Sequence, residues 1–213
     1  MKSMTAFRAA IEAAPIVPVL TVYEEAHAEP LAEALVKGGM TSVEITLRTP
    51  AALKVIQVMG EAQKGLLVGA GTIISEGDVD AALKAGSDFL VTPGTSPLLL
   101  QALGNHDGII LPGVASASEA MARFDEGYGV MKFFPAEAAG GAAFLKSLAG
   151  PLPHMDFMPT GGITTKNAAD YLSLPNVIAV GGSWIATKDE MAKGDWAAIT
   201  EKAREAVRIG RGA

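Results

Sequence analysis

Short apolar runs recur along the chain at a steady interval: Ile16–Val22, Ser42–Thr46, Leu66–Val68, Asp88–Thr92, Ile109–Leu111, Val130–Phe134, Asp156–Met158 and Val177–Val180. Their starts lie roughly 20 to 26 residues apart, the length of one strand, one helix and two short loops. The stretches between them carry helix punctuation. Ser75 with Asp78, and Ser116 with Glu119, form capping pairs ahead of apolar stripes, and Gly86 stops the first of these helices. Trp196, Ile199, Ala203, Ala206 and Val207 make one stripe at helical spacing in the last helix. Pro30 predicts that the first crossover helix starts near it or kinks there. Eight strand–helix units without a long linker predict an α/β fold, a (β/α)8 TIM barrel forming a single domain over residues 1–213, preceded by an extra N-terminal helix. A doubly wound open sheet competes, but no Gly-x-Gly-x-x-Gly turn follows the first strand.

Composition narrows the function classes. Hydrophobic residues make up 49% of the 213 and charged ones 19%, which suits parallel strands covered on both faces. No apolar stretch approaches the ~18 residues of a membrane span. Arg8 and Glu12 interrupt any signal-peptide core, so a cytoplasmic protein is expected. With no cysteine, thiolate chemistry and cysteine-ligated zinc are excluded. The formal net charge of -6, without a basic run, argues against nucleic acid as a partner. His27, His106 and His154 are far apart and outside any ligand spacing, so they read as surface or packing residues and no metal is expected.

The chemistry gathers at the C-terminal ends of the strands, where barrels place their active sites. Lys132 sits within the apolar run Tyr128–Glu137, on the same strand face as Val130 and Phe134. A lysine in such a run needs a partner or a task, unless it guards an edge strand. On the second strand Glu44, Thr46 and Arg48 alternate with Val43, Ile45 and Leu47, which turns the polar set inward. An inward carboxylate costs several kcal/mol unless partnered, and Lys132 and Arg48 are the available partners. A buried ion-pair cluster that only locks the fold would also fit.

The last two units end in paired glycines, Gly161-Gly162 and Gly181-Gly182, the latter followed by Ser183. Loops after strands seven and eight commonly bind phosphate through backbone N–H groups and a helix N-terminus. Tight-turn glycines are the plainer alternative. A neutral lysine attacks carbonyls, and lowering its pKa from ~10.4 to ~7 needs about 4 to 5 kcal/mol of environment. The resulting iminium is an electron sink for carbon–carbon cleavage, with Glu44 as proton shuttle and Arg48 as a carboxylate clamp.

Seven motifs in order, Glu44-Ile-Thr-Leu-Arg-Thr, Val68-Gly-Ala-Gly-Thr72, Thr92-Pro-Gly, Leu111-Pro-Gly, Lys132-Phe-Phe-Pro-Ala-Glu137, Pro159-Thr-Gly-Gly-Ile163 and Gly181-Gly-Ser-Trp184, resemble the 2-keto-3-deoxy-6-phosphogluconate (KDPG) aldolases. That class I family also includes 4-hydroxy-2-oxoglutarate (KHG) aldolases. The resemblance implies a trimeric barrel that cleaves the phosphorylated keto-deoxy sugar acid to pyruvate and glyceraldehyde 3-phosphate, without metal or cofactor. It makes Lys132 the Schiff-base residue and Glu44 the general acid/base. It further implies that Arg48 and Thr72 hold the pyruvate carboxylate, that Thr160, Pro93 and Phe134 line the pocket, and that Gly161, Gly162, Gly182 and Ser183 take the phosphate. Met131 stands where an aromatic is frequent. Thr95 stands where leucine is common, on a loop placed to influence sugar-chain preference.

Other functions fit parts of the pattern. A 2-keto-3-deoxy-6-phosphogalactonate aldolase differs only in stereochemical preference. A phosphosugar isomerase or synthase would use the glycine loops but leave Lys132 an electrostatic group. A non-catalytic phosphometabolite-binding barrel would bind without turnover. A metal-dependent aldolase lacks histidines to hold zinc.

Overall fold

The computed structural model describes residues 3–212, in which parallel strands alternate with helices. The strands are β1 (Ile16–Leu20), β2 (Ser42–Thr46), β3 (Leu67–Gly71), β4 (Phe89–Val91), β5 (Ile109–Leu111), β6 (Gly113–Val114), β7 (Val130–Phe133), β8 (Asp156–Pro159) and β9 (Val180–Gly182). They form a curled parallel sheet in two parts, one ordered β5-β4-β3-β2-β1-β9 and the other β6-β7-β8. The third expected run continues past Val68 to Gly71. The fifth, Ile109–Leu111, is met as β5, and Pro112, which has no N–H for a ladder, separates it from the short β6. Leu111 O still accepts from Thr92 N, and Pro112 O accepts from Lys132 N at 3.0 Å. The eighth begins its ladder at Val180 rather than Val177. Val177 bridges Phe157, whereas Val180 N turns to Pro15 O, so the chain changes partners between them.

Strand alternation sorts the core into two layers. Val43, Ile45, Met131 and Phe133 face the outer helices. Val17, Leu67, Phe89, Val91, Leu111, Val130 and Met158 pack with one another inside the curl. Helix α1 (Met4–Ala13) adds Phe7 and Ile11 to that inner cluster, with the Phe7 and Phe89 rings 5.1 Å apart. Ser3 caps α1 by accepting from Ala6 N, and an Arg8–Asp156 ion pair of 2.6 Å pins it to β8. The N-terminal ends of the strands are therefore closed by apolar packing, which leaves the C-terminal ends for chemistry.

The helices behave as their punctuation predicts. Ser75 Oγ accepts from Asp78 N, Ser116 Oγ accepts from Glu119 N, and Gly86 has φ +85° after the helix Glu76–Lys84. Helix α2 (Ala28–Lys37) carries Pro30 in its first turn, where no intrahelical donor is lost. Among the described residues, no helix is long and apolar enough to cross a membrane.

Candidate active site

β2 carries Glu44 to the inside of the curl, where it is wholly buried, and β7 brings Lys132 to the same point, 4% exposed. Lys132 Nζ donates to Glu44 Oε1 at 3.1 Å. Such a pair offsets its desolvation only through close geometry, and it gives each group the partner that the sequence demanded. The Lys132 ammonium also lies 5.4 Å from the centre of the Phe134 ring, within cation–π range.

Glycine makes the room. A Cβ on Gly71 would stand 1.9 Å from Glu44 Oε1, and one on Gly69 would stand 2.2 Å from the Phe89 ring. Strand glycines mark a close approach, and here the approaching group is the buried carboxylate itself. Gly181 does the same for Thr160, whose Oγ1 would lie 2.3 Å from an added Cβ. Sequence reasoning gave Gly69, Gly71 and Gly181 no such function, because they lie just past the ends of the apolar runs Leu66–Val68 and Val177–Val180.

A cavity of about 170 Å3 opens at Lys132 and is lined also by Thr46, Arg48, Phe134, Thr160, Gly161, Gly162 and Ser183, whereas Glu44 lies behind this wall and meets it through Lys132. Val19, Thr21, Ile163 and Gly181 complete the wall and were not anticipated. Thr21 and Thr46 share a hydroxyl hydrogen bond of 2.8 Å. Glu44 Oε2 and Thr160 Oγ1 are buried without a hydrogen-bond partner. Buried polar atoms in that condition are costly; Thr160 lines the cavity and Glu44 stands directly behind Lys132, which suits both to a reacting molecule.

Arg48 differs from expectation. It is exposed, and its Nε donates to Thr72 Oγ1 at 3.0 Å instead of pairing with Glu44. Thr72 holds φ +62°, a conformation that strains a β-branched residue by about 1–3 kcal/mol. The hydrogen bond joins Thr72 to Arg48, and Arg48 in turn lines the cavity.

Three other expected residues stand behind the cavity wall. Thr72 reaches it only through Arg48. Pro93 lines a separate cavity of about 100 Å3 on the far side of Phe134, next to Thr95 and Arg123, whose guanidinium donates to the Thr95 hydroxyl. Gly182 leaves space for the Trp184 ring, which an added Cβ would meet at 2.4 Å.

The glycine loops are also built differently from the expected helix-terminus site. The helices that follow them begin only at Ala168 and Lys188, several residues beyond Gly162 and Ser183. Near these glycines the cavity therefore presents loop backbone and Ser183 rather than a helix N-terminus. Gly161 and Gly162 take φ +105° and +78°, which glycine adopts without a steric cost. Gly161 O accepts from Glu137 N at 3.1 Å, and Thr160 O accepts from Ala136 N at 2.8 Å, fastening this loop to the one after β7.

A buried lysine paired with a carboxylate beside a cavity can polarise and attack a carbonyl and shuttle a proton. A family model described as KDPG and KHG aldolase matches residues 7–202. The chain is 46% identical to the 2-dehydro-3-deoxy-phosphogluconate aldolase of Pseudomonas aeruginosa, over 91% of this chain and 88% of that one. It is 42% identical to the KHG/KDPG aldolase of Escherichia coli, over 91% of each. A crystal structure of KDPG aldolase from Legionella pneumophila, with pyruvate captured as a covalent carbinolamine, superposes with a TM-score of 0.90 at 42% identity, covering 94% of this chain and 97% of that one.

Proposed function

The chain belongs to the KDPG and KHG aldolase family, and from that premise we propose how it works as a class I aldolase on 2-keto-3-deoxy-6-phosphogluconate. The observation that carries this reading is the buried 3.1 Å Lys132–Glu44 pair, whose lysine lines the cavity. Moving one proton from Nζ to Oε1 gives a neutral amine beside a carboxylic acid. The amine adds to the C2 carbonyl, and Glu44 supplies the proton that lets the carbinolamine lose water. The resulting iminium draws the electrons of the C3–C4 bond while the Glu44 carboxylate takes the C4 hydroxyl proton. Glyceraldehyde 3-phosphate leaves, the enamine takes a proton at C3, and water releases pyruvate from Lys132.

The remaining groups orient the substrate. The Arg48 guanidinium, held by Thr72, clamps the carboxylate next to the reacting carbonyl. Thr160 lines the same cavity, and the Phe134 ring covers the imine. Gly161, Gly162 and Ser183 cradle the phosphate at the other end of the cavity. Pro93 and Gly182 act from behind, Pro93 by backing the Phe134 ring and Gly182 by admitting the Trp184 ring.

The same reading extends to the architecture. Bridges from Phe157 to Val177 and from Thr160 to Gly181 support a closed (β/α)8 barrel, a single domain over residues 1–213. A cytoplasmic homotrimer follows from the family resemblance.

Release of pyruvate, followed through a coupled dehydrogenase, tests the activity. Turnover of KDPG is expected, faster than that of the galactonate epimer or of 4-hydroxy-2-oxoglutarate. Lys132→Arg should abolish it, because a guanidinium forms no imine under these conditions. Full activity in that variant would favour acid–base chemistry alone.

A further inference from the structure

Glu137 poses a problem for an anion cradle. Its stem packs on Gly162 so closely that an added Cβ there would lie 2.6 Å from Glu137 Cγ and 2.7 Å from Cβ. A carboxylate on that stem, left to rotate, would stand beside the phosphate and repel it. The carboxylate is instead turned away. Glu137 Oε1 accepts a short hydrogen bond from the hydroxyl of Tyr171, a residue 1% exposed on the helix Ala168–Leu172. Burial first, and then the Glu137 hydrogen bond and charge, push the Tyr171 hydroxyl well above its ordinary range, so it remains a donor. The same helix is joined to the loop through Asn167, whose Nδ2 donates to Gly162 O at 3.3 Å and whose Oδ1 accepts from Thr164 N at 2.7 Å.

We propose that Tyr171 is a positioning residue that acts through Glu137: it holds the carboxylate off the Gly161–Gly162 loop and thereby sets the enzyme's preference for a phosphorylated over an unphosphorylated substrate. This rests on the aldolase reading of the site. Tyr171 does not line the cavity and its hydroxyl bonds Glu137, so its influence is confined to the phosphate end.

The test compares Tyr171→Phe, Glu137→Gln and the double variant on three reactions. These are cleavage of KDPG, cleavage of its unphosphorylated counterpart 2-keto-3-deoxygluconate, and hydrogen–deuterium exchange at the pyruvate methyl group. Tyr171→Phe should raise KM for KDPG roughly tenfold, the effect of losing one hydrogen bond to a charged group. Cleavage of the unphosphorylated substrate and pyruvate exchange should stay within about twofold on the same scale. Glu137→Gln, which still accepts from Tyr171 but carries no charge, should change KM for KDPG by less than about threefold. The double variant should recover most of the loss in Tyr171→Phe. Equal losses on all three reactions, or no rescue by Glu137→Gln, would overturn the proposal and leave Tyr171 a packing residue. Wild-type protein that fails to exchange pyruvate would instead count against the aldolase reading, a separate outcome.

Discussion

Lys132 Nζ and Glu44 Oε1 meet at 3.1 Å although the two residues are 88 positions apart, on β7 and β2. Glu44 is wholly buried and Lys132 nearly so, its amine reached only from the cavity, so each fixes the other's position and its proton supply. Glu44→Gln keeps the shape but cannot cycle a proton. Its kcat should fall by about 10²–10⁴-fold while the fold is retained by circular dichroism. A loss of less than about threefold would remove Glu44 from the proton path.

Gly71→Ala should act on the same carboxylate from the outside. With the new methyl 1.9 Å from Oε1, Glu44 must leave its rotamer or the strand must shift. We expect a stability loss of about 1–3 kcal/mol by denaturant titration, as for overpacked cores. Activity should fall further than that loss of folded protein explains.

The site was partly legible because it lies on regular strands. Period-two alternation put Glu44 and Thr46 on one face and Val43 and Ile45 on the other, and the same rule put Lys132 with Val130. The cavity wall contributed by Arg48, Thr160, Gly161 and Ser183 followed from their places at strand ends. Contacts between loops were not legible. Nothing in the spacing of Tyr171 and Glu137 shows that they touch, and periodicity does not report the positive φ of Thr72. The break at Pro112 could have been read from the proline, whereas the partner change between Val177 and Val180 depends on how the sheet curls.

Thr72→Gly separates function from stability. Relief of about 1–3 kcal/mol of backbone strain exceeds the roughly 0.5–1 kcal/mol entropic cost of a glycine. The variant should therefore melt at the same temperature or higher. Loss of the hydroxyl that holds Arg48 Nε should raise KM for pyruvate-bearing substrates roughly tenfold. A lower Tm with unchanged KM would contradict both parts.

Glu190 predicts how stability depends on pH. Burial alone would raise its pKa, but hydrogen bonds from Lys202 and from the Thr187 backbone and hydroxyl together hold it below the ordinary carboxylate range. A depressed folded-state pKa stabilises the fold above the unfolded value of about 4.3 and loses that contribution as pH falls through the folded value. Glu190→Gln should therefore cost about 1 kcal/mol at pH 7, as loss of a helix cap does, with the difference from wild type shrinking below about pH 4. A difference that is constant from pH 7 to pH 3 would refute the assignment.

Borohydride reduction in the presence of pyruvate reads the imine directly. Intact mass should show one reduced pyruvate adduct per chain, and peptide mapping should place it on Lys132. An unchanged mass, or a label on any other lysine, would contradict the Schiff-base mechanism.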